Sequence, residues 1–282
     1  MVNEVMKKIF SIALMALTVI GMTSCIRMMN GVITCSETLN HEYKDSEEFG
    51  KVIEKVIDAK DFTEVEVHGA IQVMLDQSSD SASFTVVARG NEKNLDKYEV
   101  YVENGKLVAQ LKNHSSSVND DTPRITVKLH VPSVAKIDLS GACILRQEQA
   151  FHQRQTLYVE ASGATHVMMN GFETDVLKMN LSGASDVDLT AVKCLGILEL
   201  EADGASDFRG DITSQCLTAT VSGAGDIDLD IDCSSDVTIH ASGAADIDLK
   251  GKCKNLNVDA NKYSCDVDVD DLEVSGTKQI DD

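Results

Sequence analysis

The sequence predicts an all-β solenoid wound in coils of about 20 residues, and three observations predict it. A small polar residue followed by Gly-Ala recurs six times: Ser140-Gly141-Ala142, Ser162-Gly163-Ala164, Ser182-Gly183-Ala184, Asp203-Gly204-Ala205, Ser222-Gly223-Ala224 and Ser242-Gly243-Ala244. The glycines are 22, 20, 21, 19 and 20 residues apart. Between the copies, apolar and polar residues alternate with the period of half-buried strands. Hydrophobic residues make up 43% of the chain, too many for a disordered one. A strand repeat of this length cannot bury its own apolar face and must stack on the next copy.

Before the repeat comes an address. Lys7 and Lys8 precede the apolar run Ile9 to Gly21, which suits a signal peptide and is short for a membrane span. Met22-Thr23-Ser24-Cys25 resembles a bacterial lipobox, with Met where Leu is usual, so residues 1–24 are read as a leader and Cys25 as the lipidated first residue. A single acyl chain binds a membrane only marginally; a diacylglyceryl group with a further N-acyl chain holds stably. Residues 25–58 are expected to be a tether. Within it, Phe49, Val52, Ile53, Val56 and Ile57 sit at helical spacing, which predicts a short amphipathic helix, although most are β-branched. No later segment is apolar enough to cross a bilayer.

Residues 59–275 are expected to form the solenoid and 276–282 a tail. Val65, Val67, Ile71, Val73 and Leu75 alternate with polar residues, and so do the runs ending at Val102, Leu111 and Val131. Asn104-Gly105 is a strong hairpin signal, and Asn113 to Thr122 reads as a loop. In the repeat proper, each Gly is preceded by inward residues such as Leu177, Met179 and Leu181, or Val237, Ile239 and Ala241. A shorter strand such as Ile247 and Leu249 follows it. Gly141, Gly163, Gly183, Gly204, Gly223 and Gly243 are therefore expected at bends that resist a Cβ. His68-Gly69-Ala70 looks like an earlier, degenerate copy, and Asn261-Lys262-Tyr263 stands where a last one would fall. Each buried Leu, Ile or Val contributes about 1.5–3 kcal/mol, so cohesion rests on the inward columns.

The phrase Leu-x-x-x-x-Ser-Gly-Ala-Ser-Asp-Val-Asp-Leu, fullest at Leu177 to Leu189 and repeated at Val237 to Leu249, resembles the putative auto-transporter adhesin head domain (GIN) family. Asp61-Phe62 to Leu75 and the turn Asn104-Gly105-Lys106-Leu107 resemble its first half, so the resemblance spans roughly residues 59 to 275. It implies a right-handed parallel β-helix-like domain in the cell envelope and transfers no catalytic residue. The 141–163 coil departs from the phrase, with Cys143, Ile144 and Arg146 where later coils carry Ser or Ala and then Asp.

Lys and Arg total 25 against 46 Asp and Glu, a net charge of −21, which argues against nucleic acid as a partner. Three and five residues past the glycines, stacking would place Asp186, Asp226 and Asp246 in one column, and Asp188, Asp228 and Asp248 in another. Like charges about 4.8 Å apart repel by about 0.9 kcal/mol even at the dielectric of water. Such columns are either a solvated acidic face or, with hard-cation chemistry, Ca²⁺ sites, and no other cofactor is expected. Cys194, Cys216, Cys233 and Cys253 recur once per coil and are expected near one corner, as buried thiols or, alternatively, with one or two disulfides. No C-x-x-C, H-E-x-x-H or G-x-S-x-G occurs. The function expected is a non-enzymatic, lipid-anchored adhesin or binding module, with membrane and an unidentified glycan or protein as partners. The alternatives are a structural spacer and a polysaccharide-acting enzyme, for which Asp186, Asp188 and Arg209 are the nearest candidates.

Overall fold

The computed structural model describes residues 45, 47–80, 82–112, 125–261 and 263–281, and the backbone of the paired strands Met28–Met29 and Val32–Ile33. The leader, Cys25, Cys35 and the loop expected at 113–122 lie outside the described residues.

From Glu64 onward, alternation folds the chain into coils whose strands pair in parallel with the coils on either side. Each regular coil contributes to three walls. The first wall ends at the Gly corner and holds the strands Glu64–Gly69, Lys136–Gly141, Thr156–Gly163, Val176–Gly183, Asp236–Gly243 and Asn255–Ala260. The second follows the corner, as in Ile144–Gln147, His166–Asn170 and Asp266–Asp268. The third is narrow, two or three residues wide in Phe151–His152, Phe172–Thr174 and Leu272–Val274. The strands Asp186–Gly204 and Asp207–Gly223 run through all three walls, with register shifts where the chain turns between them. Inward files from the walls meet in one core, where Leu177, Leu181, Leu198, Leu200, Val187 and Leu189 are all fully buried. On the second wall the fully buried Phe208 shares its face with Gly210, so one large and one absent side chain fill a single layer.

The corner glycines form a single file. Gly69, Gly141, Gly163, Gly183, Gly204, Gly223 and Gly243 are in direct register, with φ between +90° and +136°. The degenerate copy at Gly69 is therefore a full member of the stack. Each corner carbonyl accepts the N–H of the Ala after the next glycine, from Ala142 to Gly69 (2.9 Å) through Ala244 to Gly223 (2.7 Å). The ladder thus continues round the bend, and the carbonyl it uses lies where the next glycine's Cβ would be. A Cβ on Gly163 or Gly183 would sit 2.6 Å from the carbonyl oxygen of the glycine beneath it.

The stacking order at the N-terminal end departs from the chain order. Lys106–Leu111 pairs in parallel with Glu64–Gly69, and Ile125–Val131 with Ile71–Gln77, on the side away from Lys136–Gly141 and Ile144–Gln147. The later turn therefore lies outside the earlier one, and the chain crosses back at 132–135, where Ala135 N–H donates to Thr63 O at 2.8 Å. Beyond that turn the pairing becomes antiparallel. Thr85–Asn91 lies on Ile125–Val131, Val52–Ile57 on Thr85–Asn91, and Tyr98–Glu103 on Lys106–Leu111. The last pair turns through Asn104 (φ 52°) and Gly105 (φ 76°), the two positive angles a tight hairpin needs. A four-residue helix, Glu92–Leu95, links two of these strands. Phe62 and Phe84 meet at 5.2 Å between ring centroids beneath this cap.

Three expectations are corrected here. Residues 52–57 are a strand, not a helix: an extended edge paired residue by residue with Thr85–Asn91 satisfies its backbone and suits four β-branched side chains. The folded domain accordingly begins before residue 59, within the expected tether. It also extends past 275, because Lys278–Asp281 adds a parallel strand to Asn255–Ala260 where a tail was expected.

The irregular coil near 147–155 is closed by buried amides. Gln147 accepts the Asn170 N–H (3.0 Å) and donates to the Asn170 carbonyl (2.7 Å), and Gln153 does the same for Val134 at 3.0 Å each way. These side chains stand in for a missing strand neighbour, which keeps buried backbone groups paired.

Candidate functional site

With the core fixed, what faces solvent is set by the outward files of the walls. On the second wall the register aligns His166, Asp186 and Asp207 in one file, continued by Asp226, Asp246 and Asp266. The neighbouring file reads Arg146, Met168, Asp188, Arg209, Asp228, Asp248 and Asp268. The six acidic candidates thus fall in the two columns expected of them, and Arg209 separates Asp188 from Asp228.

Four of these carboxylates have a basic neighbour. Asp188 is 2.7 Å from His166 Nε2, Asp207 is 2.7 Å from Arg209, and Lys250 is 2.9 Å from Asp248 and 3.7 Å from Asp228. Asp207 also accepts the Asp226 N–H at 3.1 Å. Among the described residues no three His, Cys, Asp or Glu side chains converge on a point that could hold a metal ion. Of the residues named for the enzymatic alternative, Arg209 pairs with Asp207 and Asp188 with His166. A shallow depression of about 400 Å³ lies beside them, lined by Arg146, Met168, Asp188, Thr190, Arg209 and Gly210.

Asp188 is shifted in one sense, Asp186 and Asp226 in the other. The hydrogen bond from His166 holds the Asp188 carboxyl below the usual range. Partial burial, followed by repulsion from Asp207, pushes Asp186 and Asp226 upward. A depressed carboxyl stabilises the fold above the unfolded-state value of about 3.9, and that contribution is lost as pH falls through the depressed value. A raised one works the other way, its stability being present at low pH and lost as pH rises through the raised value. Asp226→Asn is therefore expected to raise the melting temperature at pH 7.5, by about a degree, and to narrow the difference between pH 5 and pH 7.5. Thermal melts at the two pH values measure this, and an unchanged difference would mean the column carries no strain.

The thiols stack, with one exception. Cys194, Ser214 and Cys233 are in register on the third wall, and the Asp232–Lys252 pair places Cys253 next. Cys216 instead pairs with Ile197 at the start of the first wall, because the register shift after Cys194 displaces it from the expected corner file. No disulfide joins the six described cysteines. Burial raises Cys194 and Cys233 and pushes Cys253 up to about 11, so these behave as small apolar fillers.

The sequence reading passed over the first wall. Its outward files begin with charged residues and change character halfway along. Lys106, Glu64, Lys136, Tyr158, Lys178 and Glu199 are followed in register by Thr218, Thr238, Asn257 and Gln279. A second depression, of about 530 Å³, lies over the later part. No single copy of the repeat shows this change; it emerges only when equivalent positions are read down the stack.

Such a molecule belongs to the class of β-solenoid proteins whose repeats fix the core and leave three continuous walls to present side chains. The chain belongs to the family described as putative auto-transporter adhesin, head GIN domain, which it matches over residues 61–192 and 189–279. A crystal structure of a putative adhesin from Bacteroides fragilis is similar in fold, with a TM-score of 0.64 at 18% identity, covering 82% of this chain and 97% of that one. A putative adhesin from Parabacteroides distasonis gives 0.56 at 19% identity with the same coverage. Among curated proteins none matches.

Proposed function

We propose that the protein is a non-enzymatic adhesin of the cell envelope, tethered to a membrane through lipidated Cys25, whose solenoid walls bind a glycan or protein. The observation that carries this reading is the separation of roles in every coil. Inward files are mainly apolar and the corner file from Gly69 to Gly243 is glycine throughout, while the outward files differ from wall to wall along the stack. An extended, rigid, side-chain-bearing surface is suited to recognition distributed over many weak contacts, with little ordering to lose on binding. Family membership supports the adhesin assignment, and the acidic balance of the chain disfavours nucleic acid.

The anchor is tested by feeding expressing cells an alkyne-bearing fatty acid. The full chain is expected to be labelled and to sediment with membranes, and Cys25→Ser to be unlabelled and soluble. A Cys25→Ser chain that remains membrane-bound would remove the lipid anchor from this account. Adhesion is tested by saturable attachment of expressing cells to immobilised glycans and host proteins, lost when the gene is deleted.

A further inference from the structure

We propose that the later half of the first wall is a docking strip for a neutral, hydroxyl-rich glycan strand lying along the solenoid axis. The inference rests on the adhesin reading and assigns it a face and a ligand chemistry.

In the earlier coils the outward groups of this wall satisfy one another. Lys106 reaches Glu66 at 2.5 Å, Lys136 reaches Glu160 at 2.7 Å, and Lys178 reaches Glu199 at 2.5 Å. From Thr218 onward no Lys–Glu pair crosses this wall among the described residues. One file becomes Thr218, Thr238, Asn257 and Gln279; its neighbour becomes Thr220, His240, Asp259 and Asp281. The side chains of Thr218, Thr220, Thr238 and Asn257 have no hydrogen-bond partner among the described residues, and each can both donate and accept. The depression over Thr238 and Asn257 is also lined by Asp236, His240, Asp259 and Gln279, among others, and no Lys or Arg lines it; Thr218 and Thr220 stand beside it in the preceding coil.

Two of its carboxylates are engaged, Asp236 by Asn255 and Asp281 by Gln279, each at 2.7 Å, while Asp259 lies 3.6 Å from the His240 ring. Each keeps an oxygen free to accept a ligand hydroxyl. Beneath the strip, Val237, Ile239, Leu256 and Val258 are buried, so the donors and acceptors stand on a fixed platform repeating about every 4.8 Å.

Charge decides among ligands. An anionic polymer meets three carboxylates here and no cation to offset them. A cationic polymer would be drawn to the aspartate columns of the second wall, where carboxylates are denser. What this strip offers is four uncharged hydroxyl and amide side chains, Thr218, Thr220, Thr238 and Asn257, with unspent hydrogen-bonding capacity. A polyhydroxylated neutral chain matches that, and its binding should vary little with ionic strength.

The test is biolayer interferometry of the full chain against mannan and dextran as neutral probes, polygalacturonate as an anionic probe and polylysine as a cationic one. Saturable binding to a neutral probe is expected, weakened about tenfold in Thr238→Ala/Asn257→Ala and unchanged in Asp228→Asn/Asp248→Asn on the second wall. It should also persist from about 50 to 500 mM salt. Both variants change outward residues, and thermal melts confirm that they fold. Equal binding by the first-wall variant, binding confined to a charged probe, or no binding to either neutral polymer would each overturn the proposal. Cells that still attach while carrying the first-wall variant would reject this strip and leave the adhesin reading standing; loss of the difference between wild-type and deleted cells would reject the reading itself.

Discussion

Gly183→Ala is expected to destabilise the fold by about 3 kcal/mol or more, whereas Gly105→Ala costs about 1 kcal/mol. Both glycines have positive φ, +90° and +76°, so both substitutions meet the backbone penalty of roughly 1–2 kcal/mol for placing a Cβ in that region. They differ in what the new methyl touches. At Gly105, in the hairpin turn, nothing lies within 4 Å. At Gly183 the methyl would sit 2.6 Å from the Gly163 carbonyl oxygen and 3.0 Å from its amide nitrogen. That carbonyl cannot turn aside, because it accepts the Ala184 N–H at 2.8 Å. Relief therefore requires neighbouring coils to separate, which loosens ladder hydrogen bonds and inward packing together. At about 2–4 °C per kcal/mol for a domain of this size, Gly183→Ala should lower the melting temperature by about 6–12 °C and Gly105→Ala by a few degrees. Equal losses would mean that the corners need glycine for backbone conformation alone and that the file of carbonyls imposes no close approach.

The same corner shows why so much of the fold was legible in the sequence. A solenoid writes each structural need once per coil, so Gly-Ala at intervals near 20 reports the bend, and Leu177, Met179 and Leu181 report the face that must be buried. Asn104-Gly105 was equally readable because its two positive φ angles restrict residue choice locally. The third wall left no such trace: strands of two or three residues, such as Phe151–His152, are too short for alternation to appear. Val52–Ile57 misled by periodicity, since an edge strand whose outer face is solvated need not alternate cleanly; Val56 is 78% exposed. The placement of the 106–131 turn outside the 64–77 turn is a matter of long-range pairing, which no local pattern encodes. For the candidate sites, the aspartate columns followed from counting past each glycine. The diagonal His166–Asp188 pair and the change of character along the first wall did not, because each depends on which coils are neighbours.

Phe172→Ala is expected to cost about 3–5 kcal/mol, and the loss should come with a broader transition. Phe172 is fully buried on the third wall and stacks on Phe151 at 5.1 Å between centroids and 19° between planes, with Phe151 directly in register beneath it. The ladder fixes the spacing of the coils, so neighbouring residues cannot collapse into the space the ring leaves, and most of the cavity persists. The stack contacts itself only through adjacent coils, so its stability is close to a sum of coil terms and interface terms. A weakened interface inside the stack therefore also reduces the coupling between the coils on its two sides. Val267→Ala, at a half-buried position on the last paired strand of the second wall, removes less buried volume and has coils on one side only in the described chain. It should cost less than about 1.5 kcal/mol and leave the transition sharp. Urea titrations followed by circular dichroism give both the midpoint and the slope m. A lower m for Phe172→Ala but not for Val267→Ala is the signature of uncoupled segments. An unchanged m in both, with similar losses, would instead describe a core that melts as one body, and would contradict a cohesion built coil upon coil.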